Sequence, residues 1–201
     1  MKISVFVSGR GSNLNAIINS PELNNKVEVA LIISDKAFCP AFEIAKKKSI
    51  PYYILGIKQG GMEINELLNL FAKNNIDLIV LAGYLKIIPP EITNRYKNQI
   101  INIHPALLPS FGGKGMYGMK VHKAVFDSSC KVSGATVHFV DENYDTGKII
   151  AQRCVDISDA QSPEEIAARV LEVEHQLLPA VIKMINENRV WFKNGRVQIT
   201  N

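Results

Sequence analysis

Asn102 and His104 stand one residue apart, directly after the short apolar run Ile100-Ile101. Residues two apart in an extended segment lie on the same face, so the amide of Asn102 and the imidazole of His104 would point the same way. Pro105 favours an extended backbone at His104. An amide donor beside a group that titrates near neutral pH suits acyl transfer, since one stabilises an oxyanion and the other exchanges protons. The alternative is a hydrogen-bonded structural pair at the end of a strand.

An acidic loop, Asp141-Glu142-Asn143-Tyr144-Asp145-Thr146-Gly147, follows an apolar, strand-like segment. A carboxylate that reaches His104 would raise the pKa of the imidazole above about 6.5 and keep it cationic. The spacing does not decide which acid of the loop would do so, and a solvated turn is the alternative. Of the other histidines, His138 is expected in the core or behind the site, and His122 and His175 at the surface or in supporting positions.

The segment Ser8-Gly9-Arg10-Gly11-Ser12-Asn13 lies between the first predicted strand and the first predicted helix. Its glycines would let the backbone approach an anion, and a helix N-terminus offers unpaired N–H groups, as in phosphate sites. Leu14 replaces the third glycine of the dinucleotide fingerprint and the Walker lysine is absent, so the motif favours neither NAD nor ATP. The alternative is a tight turn in which Ser12 and Asn13 cap the helix.

Glu174 lies within the apolar stripe of the last long predicted helix. Its neighbours at the helical spacings are Val170, Leu171, Leu177 and Leu178. A carboxylate in such a stripe is costly unless it is paired. We therefore expect Glu174 either to pair with a buried base or to accept hydrogen bonds from the hydroxyls of a ligand.

Hydrophobic patterning predicts the elements that position these residues. The first hundred residues alternate between β-branched runs and helical patterns, and residues 76–82 are nearly continuously apolar, which is typical of a parallel strand covered on both faces. The sequence predicts an α/β fold with a doubly wound, mostly parallel sheet, helices on both faces and an antiparallel C-terminal extension. The predicted strands are 3–7, 27–33, 52–55, 76–82, 134–140 and 148–155, and the predicted helices are 14–18, 41–48, 62–73 and 163–185.

Two local signals refine the second half of the chain. Ser162 followed by Pro163 and Glu165 predicts a capping box that opens the long helix. Asn194-Gly195 predicts the turn of a small hairpin over 191–199.

Length and composition exclude several classes of protein. The chain has 201 residues, of which 47% are hydrophobic and 21% charged, so we expect one globular domain rather than a coiled coil, a collagen or a disordered chain. Its charges are scattered and sum to +4, which favours a small anionic ligand over nucleic acid. Cys39, Cys130 and Cys154 lack C-x-x-C spacing, and no signal peptide or membrane span is evident. We therefore expect a cytoplasmic protein without structural zinc.

Four segments taken together resemble the folate-dependent formyltransferases over essentially the whole chain. The N-x-H-P-x-L-L-P segment at 102–109 and the H-F-V-x₄-D-x-G pattern at 138–147 are specific to that family. The S-G-x-G-S-N loop at 8–13 is similar to that of the branch that acts on glycinamide ribonucleotide, and 81–88 also matches.

The resemblance implies a role for each matching residue. Asn102, His104 and Asp145 would form the catalytic trio, which selects Asp145 among the acids of its loop. Gly11, Ser12 and Asn13 would bind the substrate phosphate, and Glu174 the ribose hydroxyls. The pterin of the folate would be held mainly by backbone groups of a strip helped by the acidic loop, with these residues: Leu85, Lys86, Ile87, Ile88, Asp141 and Glu142.

The chain departs from the family pattern at two places. Lys86 stands where relatives commonly carry arginine, so the side-chain contribution to folate binding is not carried over. Lys58 and the pair Gly60-Gly61 occupy a segment where some relatives have an arginine for the glutamate tail of the folate, and no tail-binding residue is assigned. The glycine-rich stretch 111–118 is either a mobile lid or an ordered surface loop.

The implied activity is transfer of the formyl group of 10-formyltetrahydrofolate to the amine of glycinamide ribonucleotide, in de novo purine biosynthesis. The amine would attack directly, and Asn102 with protonated His104 would hold the oxyanion, without a metal. We expect residues 1–100 to form the phosphate-binding half and 101–201 the catalytic and folate-binding half of one domain, in a monomer or homodimer that binds neither nucleic acid nor membrane. The alternatives are another amine acceptor, a formyl-folate hydrolase or a binding module without activity; the tRNA branch has a further C-terminal domain, which we do not expect here.

Overall fold

The computed structural model of the chain describes residues 1–56 and 60–200, which form two compact units, Met1–Asn102 and Ile103–Asn201. The division falls close to the boundary between the two predicted halves. That the whole chain is one domain stays a prediction. The strands are β1 (Lys2–Val7), β2 (Glu28–Ser34), β3 (Tyr52–Ile54), β4 (Leu78–Leu81), β5 (Ile100–His104), β6 (Val132–Phe139), β7 (Ile149–Asp156), β8 (Val190–Lys193) and β9 (Arg196–Ile199). The helices are α1 (Ser12–Ile18), α2 (Phe42–Lys47), α3 (Ile64–Lys73), α4 (Pro90–Arg95), α5 (Met119–Asp127) and α6 (Pro163–Asn186).

A parallel sheet organises the first unit, with the strand order β3-β2-β1-β4-β5. The chain turns to opposite sides of β1 when it passes from β3 to β4, which is the topological switch of a doubly wound sheet. Val5 and Phe6 point to opposite faces of β1, and both are fully buried. The sheet is therefore covered on both of its faces here, as the continuous apolar runs predict.

The second unit contains the antiparallel part of the sheet. β6 and β7 pair antiparallel, with Val132 opposite Asp156. Helix α6 packs on both strands and on α5. The predicted α/β class with an antiparallel C-terminal extension is thus confirmed.

Local signals account for the ends of two elements. Ser162 Oγ accepts a hydrogen bond from the Glu165 N–H at 3.2 Å and so caps α6. The predicted capping box is only half formed, because Glu165 Oε2 accepts from the N–H of Gln161, at 2.9 Å, rather than from Ser162. Asn194 and Gly195 have φ of 50° and 74° between β8 and β9, as the predicted two-residue hairpin turn requires.

Two helices were not predicted from the sequence, α4 and α5. Helix α4 has only six residues, too few to show a helical period. Helix α5 begins directly after Gly118, without a side-chain cap, and buries Val121 and Val125, whose β-branched side chains do not favour a helix. None of the described helices is long and apolar enough to cross a membrane.

Candidate active site

His104 ends strand β5 and is 3% exposed. Its two ring nitrogens both face oxygen acceptors within the second unit. Nε2 lies 2.9 Å from the carbonyl oxygen of Phe111, and Nδ1 lies 3.5 Å from Oδ2 of Asp145. A neutral imidazole carries one hydrogen and can satisfy only one of these acceptors, whereas an imidazolium satisfies both.

Asp145 is the acid of the 141–147 loop that reaches His104. Its Oδ1 lies 3.5 Å from Nε2 of His138, and its Oδ2 also accepts the N–H of Gly113 at 2.9 Å. His138 is 2% exposed, and its Nδ1 lies 2.7 Å from the carbonyl oxygen of Phe139, which orients the ring so that Nε2 faces Asp145. The expected place of His138 in the core, behind the site, is confirmed.

The other two acids of the loop stay at the surface. Asp141 Oδ1 accepts the N–H of Asn143 at 3.0 Å and the hydroxyl of Thr146 at 2.7 Å, which fixes the course of the loop. Glu142 is exposed. Neither lies in the His104 contact, and their role toward a folate stays a prediction.

Burial and charge act in opposite directions on the two groups. Burial raises the pKa of Asp145, but a hydrogen bond from His138, the nearby His104 and the N–H of Gly113 outweigh it, and the pKa is lowered. Burial lowers the pKa of His104, and Asp145 and the Phe111 carbonyl offset only part of this effect. Asp145 raises the pKa of His104, as expected, but burial lowers it more, so the expectation of a pKa above the ordinary value is wrong. The sequence shows the partner of the imidazole but not the depth of its burial.

A third imidazole lies near this pair. His122, on α5, is 6% exposed, and its Nδ1 has no hydrogen-bond partner among the residues that the structure describes. Burial lowers its pKa, and so does the nearby His104. It is thus a buried supporting residue rather than a surface one, which a sequence without a predicted α5 could not indicate.

Residues 106–108, after His104, are fixed by side chains from β6 and β7. The hydroxyl of Thr136 donates to the carbonyl of Ala106 at 2.7 Å and accepts the N–H of Leu108 at 3.1 Å. Gln152 Nε2 donates to the carbonyl of Leu108 at 2.8 Å. These bonds hold the chain that leaves His104, and no sequence pattern indicates them.

Asn102 lies on β5, two residues before His104, and is half-buried. It pairs with Leu81 of β4 in the parallel register. Asn102 and His104 are two residues apart in this strand, so their side chains lie on the same face, as predicted. The catalytic role of Asn102 stays a prediction.

The glycine loop of the first unit ends in the N-cap of α1. Gly11 has φ 77°, and a Cβ atom there would lie 2.8 Å from the Cβ of Ala41, so both conformation and space favour glycine. Ser12 and Asn13 lie in the first turn of α1 rather than before it, and no side chain caps the helix. The alternative in which these two side chains act as N-caps is wrong.

The strip 85–88 follows β4 and leaves much of its surface uncovered. Leu85 and Ile87 are 41% and 48% exposed, whereas Ile88 is buried. Within ranges 1–56 and 60–200, no hydrogen bond involves the backbone of Lys86 or Ile87. Lys58 lies outside the described residues.

Glu174 is 8% exposed on α6, between the buried side chains of Val170 and Leu178. The expected burial of this carboxylate is confirmed. What it binds stays a prediction.

Comparison with known proteins identifies the family. The profile of the formyl transferase family matches residues 1–182. The chain is 43% identical over 208 aligned residues to a chloroplastic phosphoribosylglycinamide formyltransferase of Arabidopsis thaliana, with 100% of this chain and 70% of the relative covered. It is 36% identical to that of Haemophilus influenzae, with 98% and 90% covered. A crystal structure of the enzyme from Anaplasma phagocytophilum matches with a TM-score of 0.89 and 31% identity, covering 100% of this chain and 95% of that one. The chain therefore belongs to the formyl transferase family, in the branch of the phosphoribosylglycinamide formyltransferases.

The balance at His104 is open to a direct test. Asp145→Asn removes the charge that opposes burial, so the pKa of His104 should fall further below its ordinary value of about 6.5. NMR titration of the imidazole C–H signals measures it. Asp141→Asn, in the same loop but outside the contact, should leave that pKa unchanged. A His104 pKa that stays the same or rises in Asp145→Asn would refute the assignment.

Proposed function

We propose that the protein transfers the formyl group of 10-formyltetrahydrofolate to the amine of glycinamide ribonucleotide. The observation that carries the proposal is the buried contact between His104 and Asp145, in the two segments that match the family pattern. The relatives of the chain are named for this activity and cover nearly its whole length. Folate is the formyl donor that this family uses, and no metal is required in the scheme below.

The reaction starts with attack of the substrate amine on the formyl carbon. A carbon–nitrogen bond forms, and the carbonyl electron pair moves to oxygen, where it is stabilised by the Asn102 amide and by an N–H of His104. Burial lowers the pKa of His104, so the imidazole gains its proton as the developing negative charge raises that pKa. Asp145, ionised near neutral pH because its pKa is lowered, stabilises that cation.

Collapse of the intermediate completes the transfer. The attacking nitrogen must lose one proton, and N10 of the folate must gain one as the carbon–nitrogen bond to it breaks. We propose that Asp145 passes this proton through a water molecule.

The loop 111–118 must move before a substrate can reach His104. The carbonyl of Phe111 occupies Nε2 of His104, and the N–H of Gly113 occupies Asp145. Phe111 has φ 55°, a conformation that costs energy for a residue with a side chain. These contacts support a lid whose movement releases the imidazole and the carboxylate, after which the formyl oxygen accepts from His104 in place of the Phe111 carbonyl.

Three further regions would bind the two substrates. Ser12 and Asn13 lie in the first turn of α1, where the N–H groups of a helix N-terminus suit a phosphate, with Gly11 allowing close approach. Glu174 would accept hydrogen bonds from the ribose hydroxyls. Backbone groups of the strip 85–88 would bind the pterin, and Asp141 and Glu142 of the acidic loop would assist.

Compartment and assembly are also proposals. Cys39, Cys130 and Cys154 are free thiols, which is consistent with a reducing compartment such as the cytoplasm. We propose a monomer or homodimer that acts on small molecules rather than on nucleic acid.

Turnover by the purified protein tests the proposed function. With glycinamide ribonucleotide and 10-formyltetrahydrofolate together, tetrahydrofolate should form and be seen as a change in absorbance. The absorbance should stay constant when either substrate is omitted. Release of tetrahydrofolate without the nucleotide would favour the hydrolase instead. Absence of turnover with both substrates would favour another amine acceptor or a binding module.

Substitution of the catalytic groups should lower kcat far more than it changes KM. Asn102→Ala removes one oxyanion donor, which is worth on the order of 10²- to 10³-fold in rate, and His104→Ala and Asp145→Asn should cost at least as much. The exposed Asn94→Ala, on α4, is the matched control and should keep full activity. A near-normal kcat in any of the three variants would remove that residue from the mechanism.

Glu174→Gln should separate substrate binding from chemistry. Loss of the charged acceptor should raise KM for glycinamide ribonucleotide about 10- to 100-fold, while KM for the folate and kcat change little. Glu172→Gln, exposed on the same helix, is the control. Equal effects on both KM values would contradict a role in ribose binding.

A further inference from the structure

A chain of polar contacts in the first unit reaches from a buried carboxylate to the 85–88 strip. Asp35, directly after β2, is 4% exposed, and Ser8, directly after β1, is 1% exposed. The hydroxyl of Ser8 donates to Oδ1 of Asp35 at 2.6 Å, and Nζ of Lys86 lies 3.8 Å from Oδ2. Ser8 also contacts the strip directly: its Oγ accepts the N–H of Leu85 at 3.1 Å, and its own N–H donates to the carbonyl of Gly83 at 3.1 Å.

The direction of each hydrogen bond in this chain is fixed by chemistry. The N–H of Leu85 can only donate, so Ser8 Oγ must accept it and give its single hydrogen elsewhere. The carboxylate of Asp35 can only accept, so it takes that hydrogen and leaves its second oxygen toward the ammonium of Lys86. A buried carboxylate between a hydroxyl and a cation is costly to leave without either of them. Asp35 therefore restrains both the backbone at Leu85 and the side chain of Lys86.

We infer that Ser8 and Asp35 are positioning residues for the folate, because they set the backbone of the 83–86 segment that begins the strip. The inference rests on the proposed function, in which the free backbone groups of 86 and 87 bind the pterin. It also assigns Lys86 a role: its charge is compensated by Asp35 rather than directed to the co-substrate. The backbone of residues 86 and 87 then supplies the polar contacts to the pterin. The side chain of Lys86 holds the strip through its contact with Asp35.

The steady-state constants of single variants test the inference, with 10-formyltetrahydrofolate and glycinamide ribonucleotide varied separately. Ser8→Ala leaves the Leu85 N–H and the Asp35 carboxylate short of a partner, and should raise KM for the folate by about tenfold or more. Asp35→Asn keeps an acceptor for Ser8 but loses the charge, and Lys86→Met loses the cation. Each should raise KM for the folate about two- to fivefold, with kcat and KM for the nucleotide within twofold of the wild type.

The double variant and two controls separate positioning from folding. Asp35→Asn combined with Lys86→Met should have no larger effect than the greater single change, because both break the same pair. Lys86→Arg keeps a cation opposite Asp35, so the folate KM of this variant should equal the wild-type value. Lys36→Met removes an exposed cation beside Asp35 in sequence and should leave the folate KM unchanged.

Two outcomes would overturn the inference while leaving the proposed function intact. One is a rise of both KM values together. The other is a wild-type folate KM in Ser8→Ala and Asp35→Asn, whatever their thermal stability. If the wild-type protein itself shows no turnover with both substrates, the proposed function fails first, and the inference fails with it.

Discussion

The candidate active site depends on keeping one carboxylate charged in a nearly buried position. Asp145 has an 11% exposed side chain, and burial alone would favour its neutral form. His138, His104 and the N–H of Gly113 together reverse that preference. These partners come from β6, the end of β5 and the 111–118 loop. The Asp145 carboxylate therefore contacts three separate segments of the second unit. Removal of any of these three partners would leave part of the free-energy cost of burying the Asp145 carboxylate uncompensated.

The same burial prevents His104 from being permanently charged. A cationic imidazole would satisfy both the Phe111 carbonyl and Asp145, yet desolvation still holds its pKa below the ordinary value. Burial and the negative charge that faces His104 therefore set its proton affinity together. When an oxyanion replaces the uncharged Phe111 carbonyl, it adds negative charge next to His104 and raises the pKa of the imidazole. A lowered pKa before the reaction is therefore compatible with a cationic imidazole in the transition state.

The sequence was sufficient for the elements with strong periodicity and for the placement of His104. β4 is continuously apolar, β1 is apolar from Val5 to Val7, and Asn102 and His104 share one face of β5, as predicted. Short elements such as α4 carry too few residues to show a period, and α5 has β-branched residues where a helix forms. The choice of Asp145 over Asp141 depends on loop geometry, because Asp141 stays at the surface and accepts the N–H of Asn143 and the hydroxyl of Thr146. Family resemblance selected the correct acid where spacing could not.

The direction of the pKa shift of His104 could not have been predicted from residue types, because burial lowers the pKa and the Asp145 carboxylate raises it. Asp35 and Glu174, outside the 141–147 loop, are also buried carboxylates, with 4% and 8% exposed. A fold of this size gains nothing in stability from burying carboxylates, since apolar side chains of similar volume would serve the core as well or better. Their presence is better explained by geometry that only a charge can impose. For Asp35 that geometry is visible, because its two oxygens face Ser8 and Lys86 and so join the end of β1 to the strip after β4. An apolar residue could fill the same volume but could not orient the Ser8 hydroxyl, and the N–H of Leu85 would lose the acceptor that holds the strip.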